Sequence, residues 1–275
     1  MAKLEVFFLD AAFGQRFCMV HRPAGKPRGL ILHLHPFAEE LNKTRRMSAL
    51  GARAFADAGW LVLQIDLLGC GDSSGDFADA SWSGWLADVS LGAKWLRAQS
   101  SGPLLLWGVR AGALLAASWL CAGSKAEGLL LWQPVASGRL HLQQFLRLHS
   151  VSQMLGDSDA GVSVSMLRKE LAAGRVVEVA GYGVSPALGS GLEATTMSLP
   201  ASFQGTVHVL ELSGAEVPAS SAAVQLLAAD WSKVGVEARC ETLRGPAFWT
   251  TQEVVEVPAL IDQSCKALGA FHDRD

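Results

Sequence analysis

The stretch LLLWGVRAGALLA, residues 104–116, decides the fold. Leu104–Trp107 is a short, unbroken apolar run, the pattern of a strand buried on both faces of a parallel sheet. Ala111–Cys121 is apolar at helix length. Between them, Gly108-Val109-Arg110-Ala111-Gly112 sets two glycines around a sharp strand-to-helix turn, where strand and helix approach closely. Working outward, Gly29–His35 (GLILHLH), Trp60–Asp66 (WLVLQID) and Gly128–Trp132 repeat the buried-strand pattern. Helical periodicity separates them. Met47, Leu50, Ala54 and Phe55 recur on one side of Asn42–Ala58, and Trp85, Val89, Ala93 and Leu96 on one side of Trp82–Gln99. Leu4–Leu9 and Arg16–His21 predict an opening hairpin. Val207–Glu211 and Val236–Leu243 predict late strands, and Ser220–Val234 and Glu253–Leu268 late helices. This alternation predicts a mainly parallel α/β sheet with helices on both faces. From about Ala136 to Pro200 it gives way to helix and loop with Gly/Ser punctuation, read as an insertion over one end of the sheet.

A strand, a G-x-R-x-G turn and a helix are the backbone context of the G-x-S-x-G nucleophile elbow, so the chain resembles the α/β-hydrolase family. The resemblance implies an eight-stranded sheet and a small helical cap, with residues 1–135 and 201–275 as the two parts of the core and 136–200 as the cap. At the centre of the turn, where that family has Ser, Cys or Asp, stands Arg110. A guanidinium stays protonated and offers no lone pair, so it cannot attack a carbonyl.

Ligands of open α/β sheets bind beyond the carboxyl ends of the strands, and three more strand ends bear on the site. HLHPFAEELNKTRRM (33–47) places His35-Pro36-Phe37 where such hydrolases take an oxyanion-hole amide, followed by Glu39 and Glu40. A buried Arg needs a partner, and one of these glutamates turning to Arg110 would supply it; a solvated helix start is the other reading. IDLLGCGDSSGD (65–76) matches a D-x-x-G-x-G-x-S loop, with Cys70 and Ser73 given no base. Late in the chain, ELSGAEVPAS (211–220) leaves Glu216 as the candidate at the acid position, with Glu211 earlier in the strand. LRGPAFWTT (243–251) puts Phe248 and Trp249 where a histidine is expected; His141, His149, His208 and His272 lie elsewhere. A Ser–His–Asp mechanism needs that imidazole as proton acceptor, and its loss together with the nucleophile looks like a replacement of function.

The set PFAEELNKTRRM, QIDLLGCGDSSGDF, LLWGVRAGALLA, EVAGYGVSPAL and GPAFWTT is similar, over most of the chain, to the exosortase A system-associated hydrolase 2 family. That resemblance implies a Gram-negative bacterial, cytoplasmic protein encoded with exopolysaccharide and protein-sorting genes, with the same Arg at the elbow; it implies no particular reaction.

Composition narrows the function classes. Half of the 275 residues are apolar and 18% are charged, which excludes a disordered chain. Lys+Arg 23 against Asp+Glu 26 gives −3, so nothing advertises nucleic-acid binding. The longest apolar run, Ala111–Ala122, falls short of the roughly 18 residues of a membrane span, and the N-terminus lacks a secretory-signal pattern. Five widely spaced cysteines without CxxC argue against a disulfide framework or structural zinc. The expectation is a soluble cytoplasmic protein without cofactor, with homo-oligomerisation left open. Its ligand would be a small acyl, ester or anionic molecule. One version has Glu40 or Glu39 activate water, with Arg110 and the Phe37 and Ala111 amides holding the oxyanion and His35 and Trp249 lining the ligand pocket. A second is an inactive pseudo-hydrolase serving as a binding partner. A third is a metal-assisted hydrolase using His33 and His35, two apart on one strand, with Asp66.

Overall fold

A computed structural model describes residues 2–154 and 163–271. Eight strands form one sheet: β1 (Lys3–Asp10), β2 (Gln15–Arg22), β3 (Gly29–Leu34), β4 (Trp60–Ile65), β5 (Leu104–Val109), β6 (Gly128–Trp132), β9 (Thr206–Ser213) and β10 (Ala238–Arg244). Their order is β1-β2-β4-β3-β5-β6-β9-β10. The β1–β2 and β2–β4 pairs are antiparallel and the remainder parallel. Strands β3, β4, β5 and β6 are buried at every position, as continuous apolar runs require when helices cover both faces.

Alternate strand residues feed two cores. Leu30, Leu32, Leu104 and Leu106 point to the face covered by α2 (Trp82–Gln99) and α3 (Ala111–Cys121). Ile31, Val62, Leu105, Trp107 and Trp132 point to the opposite face, under α1 (Glu39–Asp57) and α8 (Pro258–Ala270). There Trp107 packs edge-on against Trp132 at 4.7 Å and Phe55 at 4.8 Å. The helix α7 (Ala222–Lys233) buries Val224, Leu227 and Trp231 with the first core.

Element boundaries differ from the periodicity in several places. The first helix starts at Glu39 rather than Asn42, which draws both glutamates into its first turn, where the helix dipole favours acids. The last starts at Pro258 rather than Glu253, because proline is preorganised for a first helical position. The final strand starts at Ala238 rather than Val236. Residues 136–200 hold α4 (Gly138–Met154), α5 (Val164–Ala172) and α6 (Pro186–Glu193). They also hold a two-stranded ribbon, β7 (Val177–Val179) with β8 (Tyr182–Val184), which the helix-and-loop reading missed. It turns through Ala180 (φ 50°) and Gly181 (φ 81°), the positive-φ pair of a tight hairpin. Leu142, Phe145, Leu146, Leu188 and Leu192 join the core of the α2–α3 face. No helix among the described residues is long and apolar enough to cross a membrane.

Candidate functional site

The chain leaves β5 and enters α3 through a single residue, Arg110, with φ 53° and ψ −119°. A non-glycine residue at such angles stores roughly 1–3 kcal/mol of strain and persists where the surroundings over-determine it. They do so here. A Cβ on Gly112 would lie 2.1 Å from the Leu34 carbonyl oxygen, and one on Gly108 2.7 Å from Ala113 Cα, so strand and helix close to a distance only glycine allows. Two neighbouring strand ends repeat the device: Ala38 caps α1 with φ 49° and ψ −124°, and Gln133 follows β6 with φ 45°.

The Arg110 side chain turns to α1. Its Nε donates to both carboxylate oxygens of Glu40 at 3.2 and 3.3 Å, and its Nη2 to Oε1 at 3.1 Å. Its Nη1 donates to the Gln133 carbonyl at 3.4 Å. The guanidinium carbon lies 5.0 Å from the Trp249 ring centroid, within cation–π range. The pair is largely enclosed, with 16% of the Arg110 and 9% of the Glu40 side chain exposed. Burial pushes the Glu40 carboxyl above its ordinary value, and the Arg110 charge pulls against that rise. Gln133 extends the network: its Oε1 accepts from Leu212 N at 2.8 Å and its own N–H donates to Leu210 O, which ties the turn after β6 to β9.

Beside the pair is a cavity of about 200 Å³ lined by Glu39, Glu40, Arg110, His141, Gln144 and Thr250, with Phe145 and Leu148 as its apolar wall. Two buried polar atoms here have no hydrogen-bond partner, Glu39 Oε2 and His141 Nδ1. Glu39 is pushed up chiefly by burial, with the Glu40 charge adding to it. His141 is pushed down to about 3 by burial and then by the Arg110 charge, so it is a neutral imidazole at pH 7. Of the five guanidinium N–H groups, three are engaged with Glu40 and Gln133, leaving one on each terminal nitrogen. The site thus joins a compensated cation, a second carboxylate with a free oxygen and a neutral imidazole.

The other residues singled out in the sequence are placed differently. His35 is buried with both ring nitrogens taken: Nδ1 faces the Pro36 carbonyl at 2.7 Å and Nε2 accepts from Leu67 N–H at 3.3 Å. It ties the ends of β3 and β4 together and is not among the residues lining the elbow cavity. The same bonds remove it as a metal ligand, and among the described residues no group of three His, Cys, Asp or Glu side chains is placed to hold a metal ion. The Phe37 ring sits in an aromatic cluster with Phe77, Trp85, His141 and Phe145. Its backbone precedes α1, and Ala111 opens α3, so both N–H groups stand outside the helical ladders. Glu216 is exposed in the loop after β9, away from the cavity lining. Glu211 is buried but spent on capping α7, accepting from Ser220 Oγ, Ser221 N and Ser221 Oγ. Ser73 donates to the Asp66 carbonyl, and burial drives the Cys70 thiol far up, so neither is an activated nucleophile. His272 lies outside the described residues.

Sequence reasoning passed over His141, Gln144 and Gln133. His141, Gln144, Phe145 and Leu148 form an i, i+3, i+4, i+7 stripe on α4, a signal present in the sequence. Gln133 carries no signal beyond its place after a strand.

The family model described as "Serine aminopeptidase, S33" matches residues 25–186, from ahead of β3 to the start of α6. No curated protein matches the chain. Among solved structures, a lidless α/β serine hydrolase of Xanthomonas campestris is 17% identical, with 99% of this chain and 94% of that one covered at a TM-score of 0.59. Est1E of Butyrivibrio proteoclasticus is 9% identical, with 98% and 99% covered at 0.64. A thermostable carboxyl esterase of Bacillus coagulans is 15% identical, with 98% of each chain covered at 0.62. At these identities the likeness is one of fold, the α/β-hydrolase fold. With more than half its length inside the family match, including the elbow, both glutamates and His141, the chain belongs to the serine aminopeptidase, S33 family.

Proposed function

We propose that the protein acts on or binds a neutral acyl compound, an ester or thioester, at the elbow cavity, without the standard Ser–His–Asp triad and without an acyl-enzyme intermediate. The observation that carries this is the commitment of Arg110, at the nucleophile position, to Glu40 through three N–H···O contacts. Charge selects the ligand. Glu39 and Glu40 face Arg110 in the cavity lining, and Lys43 reaches its edge at the Thr250 carbonyl, so a free anion finds no net positive charge, whereas a carbonyl oxygen needs only the two spare N–H groups of Arg110. This narrows the acyl-or-anionic expectation to its acyl half.

For hydrolysis, Glu39 is the general base. Its Oε2 is unpartnered, and burial raises its proton affinity toward the range useful at neutral pH. Glu39 takes a proton from water, the hydroxide oxygen bonds to the acyl carbon, and the Arg110 N–H groups with the Phe37 and Ala111 amides stabilise the oxyanion. The bond to the leaving oxygen or sulfur then breaks, and that atom takes the proton from Glu39. The motif resemblance supports a setting in the bacterial cytoplasm, beside exopolysaccharide and protein-sorting machinery.

The test is hydrolysis of p-nitrophenyl butyrate together with fluorophosphonate labelling read by intact mass. Slow turnover that falls about 100-fold in Glu39→Gln, with no serine adduct, is the expected result. A fluorophosphonate adduct on any serine, or turnover unchanged in Glu39→Gln, overturns it. The enclosure of Arg110 by Glu40 and Trp249 favours one alternative, a pseudo-hydrolase that binds the acyl compound and releases it intact; saturable binding without turnover selects it.

A further inference from the structure

A second cavity, of about 250 Å³, opens on a different face of α1, between that helix and β2, β4 and β3. Met19, Gln64 and His33 lie side by side across these strands, in register on one face. Ser48 faces them from α1, and Arg45 and Asp66 complete the polar lining. His33 is 4% and Ser48 2% exposed, and His33 Nε2 and Ser48 Oγ have no hydrogen-bond partner. Leaving such atoms unpaired costs their full desolvation, so two of them in one cavity mark a place where a ligand completes the bonding. The Gln64 Oε1 is occupied by His21 Nε2 at 3.1 Å, which leaves its amide N–H groups as further donors.

Charge and shape select the ligand. Arg45 and Asp66 face each other at 3.5 Å and balance, and buried His33 is held neutral by desolvation, so the cavity offers no net charge to an ion. Ser48 and Gln64 donate, while the His33 nitrogen can accept. Met19 and Ile65 supply apolar wall. Beyond Met19 the row continues to Val6, directly across the strand pair and 61% exposed, next to Phe8 at 52%. An apolar tail leaving the cavity therefore meets apolar surface.

We propose that this cavity binds a small neutral carbonyl compound with a short alkyl tail, in its simplest form a primary aliphatic amide. Its carbonyl oxygen accepts from Ser48 and Gln64, its N–H donates to His33, and its tail runs over Met19 toward Val6. The inference stands apart from the elbow reading, because no residue lines both cavities.

Hexanamide titrated into the full chain, followed by calorimetry and by the side-chain ¹⁵N shifts of the histidines, tests it. Expected are saturable binding, a shift of the His33 resonance on saturation, and affinity about fivefold weaker in Ser48→Ala, the loss of one hydrogen bond. Ala49→Phe, which fills the cavity, should abolish binding. Absence of saturable binding, an unmoved His33 resonance, or equal affinity in wild type and Ser48→Ala would overturn the proposal. So would binding that survives Ala49→Phe, which would place the amide outside this cavity.

Discussion

Arg110 and Glu40, 70 residues apart in sequence, meet as an enclosed ion pair with Nε 3.2 and 3.3 Å from the two carboxylate oxygens and Nη2 3.1 Å from Oε1. The pair stands at the turn from β5 into α3, beside the start of α1. Two adjacent helix starts, each bent through a positive φ, bring the residues together.

Removing one partner leaves the other charge buried and unpaired. Glu40→Leu and Arg110→Leu should each cost about 3–5 kcal/mol, read as urea midpoints. The double variant should recover most of that loss, since a well-packed apolar pair often equals a buried ion pair. Additive single losses would show that the two residues act separately.

His141 should make the fold acid-sensitive. Its pKa is lowered from an ordinary 6.5 to about 3, so the unfolded chain takes up its proton first, and stability present above pH 6.5 is lost as pH falls toward 3. Between pH 7.0 and 5.5 one such histidine accounts for about 1.3 kcal/mol. His33 and His35 are lowered by burial too and act with the same sign, while the raised carboxyls of Glu39 and Glu40 act with the opposite sign nearer pH 4.5. His141→Phe should therefore remove about 1.3 kcal/mol of the stability difference between those two pH values, leaving the rest. An unchanged difference in guanidinium titrations would contradict the assignment.

The elbow tolerates no side chain at Gly112. Gly112→Ala sets a methyl 2.1 Å from the Leu34 carbonyl oxygen, and backbone cannot give way as a flexible side chain does; the loss should be about 3 kcal/mol. Gly269→Ala is the control: within α8 a Cβ there meets nothing within 4 Å, so it should gain up to about 1 kcal/mol from helix propensity. Thermal midpoints of the two variants should move in opposite directions.

A second buried pair fixes the loop after β4. Arg16 Nε meets Asp88 Oδ1 at 2.7 Å, both side chains 3% exposed, and Asp88 Oδ2 accepts from Leu68 N at 2.8 Å. Asp88→Ala strands both donors and should cost about 3–5 kcal/mol. Hydrogen exchange of the Leu68 amide should accelerate with it; protection equal to wild type would mean that Asp88 does not hold the loop.

The sheet was legible because its signal is local. A strand buried on both faces must be apolar throughout, as GLILHL, WLVLQI, LLLWGV and GLLLW are, and a turn with no room for Cβ must use glycine. The ribbon at 177–184 escaped because three-residue strands carry too little alternation to register against flanking helices.

What the sequence by itself determined is therefore the α/β layering, the place of the elbow and the presence there of a cation unable to attack a carbonyl. The tertiary structure alone decided which glutamate meets that cation, that His35 spends both nitrogens on backbone groups, that Glu211 caps a helix, and that His141 reaches the cavity from the 136–200 segment. The reason is physical: backbone preference follows from neighbours a few residues away, whereas a buried charge or imidazole is defined by partners brought up from distant segments, and a sequence lists candidate partners without saying which arrive.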